Sequence, residues 1–72
     1  MIVKVQEEHI EKGIKKYNGV RNTALETLFK NGKLEAEVYT FDDGRYLVKY
    51  LLLKTAFLYP DESSLLTSIR LD

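Results

Sequence analysis

The stretch that most limits what this chain can fold into runs from Leu34 to Tyr59. Leu34-Glu35-Ala36-Glu37-Val38-Tyr39-Thr40-Phe41 alternates with period two, the mark of a half-buried strand. Asp42-Asp43-Gly44 interrupts it, and Arg45-Tyr46-Leu47-Val48-Lys49-Tyr50-Leu51-Leu52 follows. Aspartate and glycine between two β-rich runs signal a hairpin. A two-residue loop, Asp43-Gly44, would pair Val38 with Lys49 and set that lysine among Leu34, Ala36 and Leu51. A three-residue loop, Asp42 to Gly44, pairs Glu37 with Lys49 and Val38 with Val48. It also puts Gly44 at the left-handed position of a G1 bulge, where a Cβ would be strained. Opposite charges across strands contribute roughly 0.2–1 kcal/mol, and an unpaired buried lysine costs more. The three-residue loop is therefore the expected one. One face then carries Leu34, Ala36, Val38, Thr40, Tyr46, Val48, Tyr50 and Leu52. The other carries Glu35, Glu37, Tyr39, Phe41, Arg45, Leu47, Lys49 and Leu51. A one-residue slip would exchange the two sets.

The remaining segments are shorter and must pack around this hairpin. Ile2 to Val5 is a β-branched run suited to an edge or terminal strand. Glu7 to Tyr17 reads as a helix, with Ile10, Ile14 and Tyr17 on one face and Glu8/Lys12 and Glu11/Lys15 as favourable pairs. Acids lead, Lys15-Lys16 close, and Asn18-Gly19 is a stop signal. Gly13 inside it costs about 1 kcal/mol against alanine. Thr23 with Glu26 forms a capping-box pattern, and Asn22 is the competing cap. Ala24, Leu25, Leu28 and Phe29 give that second helix its apolar stripe, and Asn31-Gly32 ends it.

Beyond Leu52 the chain is expected to remain extended to Tyr59. An unbroken strand from 45 to 59 would span about 50 Å at ~3.3 Å per residue. That exceeds the reach of Leu34–Phe41, so a bulge or bend is expected near Leu51 to Leu53. The alternative is a helix from 46 to 58, since Tyr46, Tyr50, Leu53 and Phe57 also recur at helical spacing. Pro60 to Ser64 is a loop by composition. Leu65-x-Thr67-x-Ile69-x-Leu71 favours a final strand, with a short helix capped by Asp61 as the alternative. The expected fold is α+β, one domain over residues 1–72. It has two short helices on one face of a small, mostly antiparallel sheet of three to five strands.

A chain of 72 residues, 44% of them hydrophobic, builds only a marginal core. With no cysteine there is no disulfide or thiolate zinc site to staple it. A second copy could supply the missing burial, so a homodimer is expected. The net charge of zero argues against strong non-specific nucleic-acid binding. The charge is unevenly spread: residues 1–33 carry seven Lys/Arg against four Glu, and residues 34–72 carry four against seven acids. The opening residues lack the order of a secretory signal, and no apolar run approaches a membrane span. A cytoplasmic location without membrane contact is the expectation.

Val3-x-Val5-x-x-Glu8-His9-Ile10-x-x-Gly13 resembles the opening of a group of small, uncharacterised phage and bacterial proteins. Those continue, after a short loop, into an alanine- and leucine-rich helix, and Ala24-Leu25-Glu26-Thr27-Leu28 stands at that place. The group often has a Cys-Pro pair just before it, where this chain has Arg21-Asn22-Thr23. The resemblance covers roughly the first 30 residues. It implies a phage or mobile-element background, with no activity and no site residues to carry over.

Chemistry-bearing groups are sparse. His9 is the only histidine and reads as a surface helix residue. Asp42-Asp43 and Asp61-Glu62 read as solvated turn acids rather than metal ligands. Ser63-Ser64 has no base nearby in sequence, and the scattered glycines form no phosphate-binding fingerprint. No catalytic residue, cofactor or metal is expected, and the chain is not read as an enzyme. The leading expectation is a protein-binding module, such as an inhibitor acting on a host or phage complex. Its contact surface would be the outer hairpin face: Tyr39, Phe41, Arg45, Leu47 and Lys49, aromatics beside cations being typical interface material. The alternative is a small nucleic-acid-binding protein using Lys12, Lys15, Lys16 and Arg21.

Overall fold

The computed structural model describes residues 2–32 and 35–71. Among these are five strands and three helices: β1 (Val3–Val5), α1 (Glu7–Lys16), β2 (Val20–Arg21), α2 (Thr23–Asn31), β3 (Ala36–Thr40), β4 (Tyr46–Tyr50), β5 (Thr55–Tyr59) and α3 (Glu62–Leu71). The strands form one antiparallel sheet in the order β1-β5-β4-β3-β2. No described helix is long and apolar enough to cross a membrane.

The β3–β4 hairpin has the three-residue loop. Glu37 lies opposite Lys49 and Val38 opposite Val48. Gly44 sits at φ 89°, and its N–H donates to the Phe41 carbonyl at 3.1 Å. Register fixes the faces. Ala36, Val38, Tyr46, Val48 and Tyr50 pack with Phe29, Tyr59 and Leu65 in one cluster. Tyr39, Phe41 and Leu47 pack with Ile10, Ile14 and Ala56 in the other. Leu34, expected on the first face, lies outside the described residues.

The helices do not share one face, as had been expected. The ends of β1 and β2 that α1 joins are at opposite edges of the sheet, so α1 must cross it, and it does so over the Phe41–Leu47 face. Phe29 of α2 and Leu65 of α3 anchor the other face. The result is a sheet covered on both sides. The crossing brings Gly19 against Phe41. A Cβ on Gly19 would lie 2.6 Å from Phe41 Cε1 and 3.2 Å from Ile14 Cγ2, so glycine is required by this approach.

Two further expectations are corrected. The final segment is a helix, not a strand. Asp61 Oδ1 accepts the Ser64 N–H at 2.8 Å, an N-cap that commits the chain to helix, and Leu65 and Ile69, four apart, both reach the core. The same leucine–isoleucine spacing satisfies period two and a helical face, and the cap decides between them. The stretch 45–59 is not one bent strand either. The chain reverses over residues 51–54, and β5 returns along β4 with Tyr50 opposite Thr55. For α2, Asn22 is the cap: its Oδ1 accepts the Leu25 N–H at 3.2 Å. That leaves Glu26 free for other partners.

Candidate protein-interaction surface

The five residues expected to meet a partner share a face, but α1 lies over it. Phe41 and Leu47 are 5% and 3% exposed, in contact with the cluster around Ile10. They belong to the core, and their expected exposure is corrected: the face that was thought open is the one α1 crosses. A homodimer built on this face would have to displace α1; a second copy at a neighbouring edge of the sheet, the other expected route, is not affected by this burial. Lys49 and Arg45 secure the same arrangement, and Tyr39 bonds within β3. Lys49 Nζ reaches Glu11 Oε1 of α1 at 3.5 Å. The Arg45 guanidinium pairs with Asp43 Oδ2 at 2.6 Å and lies 4.9 Å from the Tyr17 ring centre, closing the end of α1. Tyr39 donates its hydroxyl to Glu37 Oε1 at 3.0 Å. Partial burial, reinforced by that bond to a carboxylate, pushes the phenol pKa up to about 12.

The basic cluster is also divided. Lys12, Lys15 and Lys16 are exposed along α1, with the Lys16 ammonium 5.4 Å from the Tyr17 ring centre. Arg21 is committed elsewhere. Its Nε and Nη2 donate to Glu26 Oε2 and Oε1 at 2.5 and 2.6 Å, and Nη1 reaches Glu37 Oε2 at 3.4 Å. The bond from Arg21 holds the Glu26 carboxyl below its ordinary pKa. Glu26 Oε2 also accepts the Val38 N–H at 3.1 Å, which ties α2 to the edge of β3.

The remaining candidates have local roles. His9 is exposed, 3.8 Å from Glu8 Oε1. Asp43 Oδ1 accepts the Arg45 N–H within the turn, and Asp61 caps α3. Ser63 and Ser64 form the first turn of α3, where the Ser63 carbonyl accepts the Thr67 hydroxyl. No group of three or more His, Asp or Glu among the described residues is placed to hold a metal ion.

The surface feature that stands out is the turn between β4 and β5. Leu51, Leu52 and Leu53 are 41%, 81% and 72% exposed, three large apolar side chains in succession at a hairpin tip. The fourth turn residue, Lys54, adopts φ 51°, a left-handed conformation without the usual glycine or asparagine. Leu51 also lines two recesses. One, of about 440 Å³, includes Glu7, Glu11, Lys49 and Lys54. The other, of about 450 Å³, runs between α2 and β3, with Thr27, Lys30 and Glu35 among its walls. A bend near Leu51 to Leu53 had been expected, but neither a full reversal with an exposed tip nor this groove had been. The signal was present in the strand length: five residues of β4 exhaust a typical strand by Tyr50. The leucine run was then the only material left for a turn.

No family model, curated protein or solved structure matches the chain.

Proposed function

We propose that this protein is a non-enzymatic protein-binding module whose contact surface is the leucine tip of the β4–β5 hairpin. The observation that carries the reading is the exposure of Leu52 and Leu53 at a turn whose sequence suits neither solvent nor turn geometry. Burying an exposed leucine contributes about 1.5–3 kcal/mol, so a partner that covers the tip gains substantially from few residues. A convex apolar tip fits a concave site on another protein. The likeness of the first segment to phage and bacterial proteins supports a role as a phage or mobile-element accessory protein. Such a protein would act by occupying a surface of a host or phage complex.

Affinity capture from a bacterial lysate, run beside a Leu52→Glu/Leu53→Glu variant, tests this. A discrete protein retained by the unaltered chain and lost by the variant is the expected result. Recovery of nucleic acid alone would overturn it. Nucleic-acid binding is the weaker reading, because Arg21 is held by two carboxylates and Lys12, Lys15 and Lys16 remain without it.

A further inference from the structure

β3 is five residues long and its outer neighbour β2 only two, so part of the β3 edge has no strand beside it. The chemistry of that edge follows from parity. The Phe41 N–H donates to the Arg45 carbonyl at 3.0 Å and the Leu51 N–H to the Glu35 carbonyl at 3.1 Å. Odd-numbered residues of this segment therefore hydrogen-bond toward β4, and even-numbered residues turn their backbone groups to the outer edge. Thr40 faces Val20 of β2. Val38 is satisfied without a strand: its N–H donates to Glu26 Oε2, and its carbonyl accepts the Asn22 N–H at 2.8 Å. At Ala36 no described residue takes either group. Both open on the groove between α2 and β3, where Thr23, Glu26, Thr27 and Lys30 recur along one face of the helix.

We propose that this groove receives an extended segment of the partner protein, which adds to the sheet beside Ala36 in line with β2. The proposal rests on the protein-binding reading and names the form in which the partner engages. Main-chain bonds to Ala36 supply a sequence-independent anchor, and alternate side chains supply selectivity. Side chains on the helix side meet the Thr23 hydroxyl, the ammonium of Lys30 and the Thr27 hydroxyl, which donates to the Thr23 carbonyl at 3.0 Å and is left to accept. Those on the other side meet the Glu35 carboxylate and, beside it, the Glu37 carboxylate that already accepts from Tyr39 and Arg21. The complementary segment therefore carries acidic or hydrogen-bonding residues on one face and Lys or Arg on the other. Leu51 lines the same groove, so an apolar residue at the end of the segment continues onto the leucine tip.

The test uses the full chain and a displayed library of random ten-residue peptides, with selected peptides then synthesised. The expected result is enrichment of alternating acidic–basic segments that slow hydrogen exchange at the Ala36 amide by about tenfold or more. Thr27 is exposed on α2, so Thr27→Trp should fill the groove, leave the melting temperature unchanged and weaken peptide binding by about tenfold. Absence of enrichment, peptides that leave Ala36 exchange unchanged, or equal binding by the Thr27→Trp variant would each overturn the proposal. Concentration-dependent protection of Ala36 without peptide would overturn it in favour of a second copy of this chain. An unprotected Ala36 combined with capture that still depends on Leu52 and Leu53 would remove the groove and leave the tip reading standing.

Discussion

The two tight hairpins of this sheet join strands of equal length by opposite means. Between β3 and β4, the turn follows the ordinary chemistry of turns. Gly44 takes the left-handed position, Asp43 bonds the following backbone, and Asp42, Asp43 and Gly44 all lie exposed. Between β4 and β5 the turn is Leu51-Leu52-Leu53-Lys54. The left-handed position falls on a lysine, and the three leucines face solvent. A side chain in that conformation costs roughly 1–2 kcal/mol, and it persists because the flanking ladder from Tyr50–Thr55 to Tyr46–Tyr59 dictates the reversal. The first turn shows what folding alone selects. The second departs from it in composition and in backbone, and the proposed contact surface rests on that departure.

The largest effect that separates the two regions concerns core and tip leucines. Leu47→Ala should lower stability by about 2–5 kcal/mol in urea denaturation, whereas Leu52→Ala should change it by less than about 0.5 kcal/mol. Equal losses would mean that the tip leucines serve the fold. Next, Gly44→Ala should cost about 1–2 kcal/mol, because φ 89° strains any Cβ.

The stitch between α2 and β3 offers a pH readout. The Glu26 carboxyl has a folded pKa below its unfolded value, so its contribution is complete above the ordinary glutamate range. It is lost as pH falls through and below that range, roughly pH 4–5 downwards. Glu26→Gln keeps an oxygen for the Val38 N–H but removes the charged, two-oxygen partner of Arg21, so it should lower stability at neutral pH and flatten this part of the acid limb. An unchanged acid limb would show that Glu26 does not hold the edge. The smallest effect is a gain. Lys54→Gly relieves the left-handed strain and should stabilise by about 0.5–1 kcal/mol after the greater flexibility of unfolded glycine is counted. A loss in this variant would show that Lys54 makes a stabilising contact at the turn.

The sequence made the first of these regions legible and hid the second. Alternation from Ala36 to Phe41 and an Asp-Asp-Gly turn determine the register, and with it the assignment of Val38 and Val48 to one cluster and Phe41 and Leu47 to the other. Helix α1 was legible from Ile10 and Ile14, but its placement was not. Which face a ten-residue helix covers depends on where β1 and β2 lie, and β2 is too short to show a period. The Phe41–Leu47 face was consequently read as open. The C-terminal helix was ambiguous because Leu65 and Ile69 suit both periods, and only the Asp61 cap separates them. The leucine tip was read as a bulge or bend within a continuing strand because it contains none of the residues that usually announce a turn. The proposed contact surface shows in sequence only as that conflict.

The central claim is that the tip, and not the surface at large, meets the partner. A photo-reactive residue placed at position 52 in the full chain, compared with one at the exposed Thr67 on α3, tests this most directly when each is irradiated in a bacterial lysate. The account predicts a discrete protein adduct from position 52 that is absent from position 67. No protein adduct from position 52, or the same adducts from both positions, would contradict it.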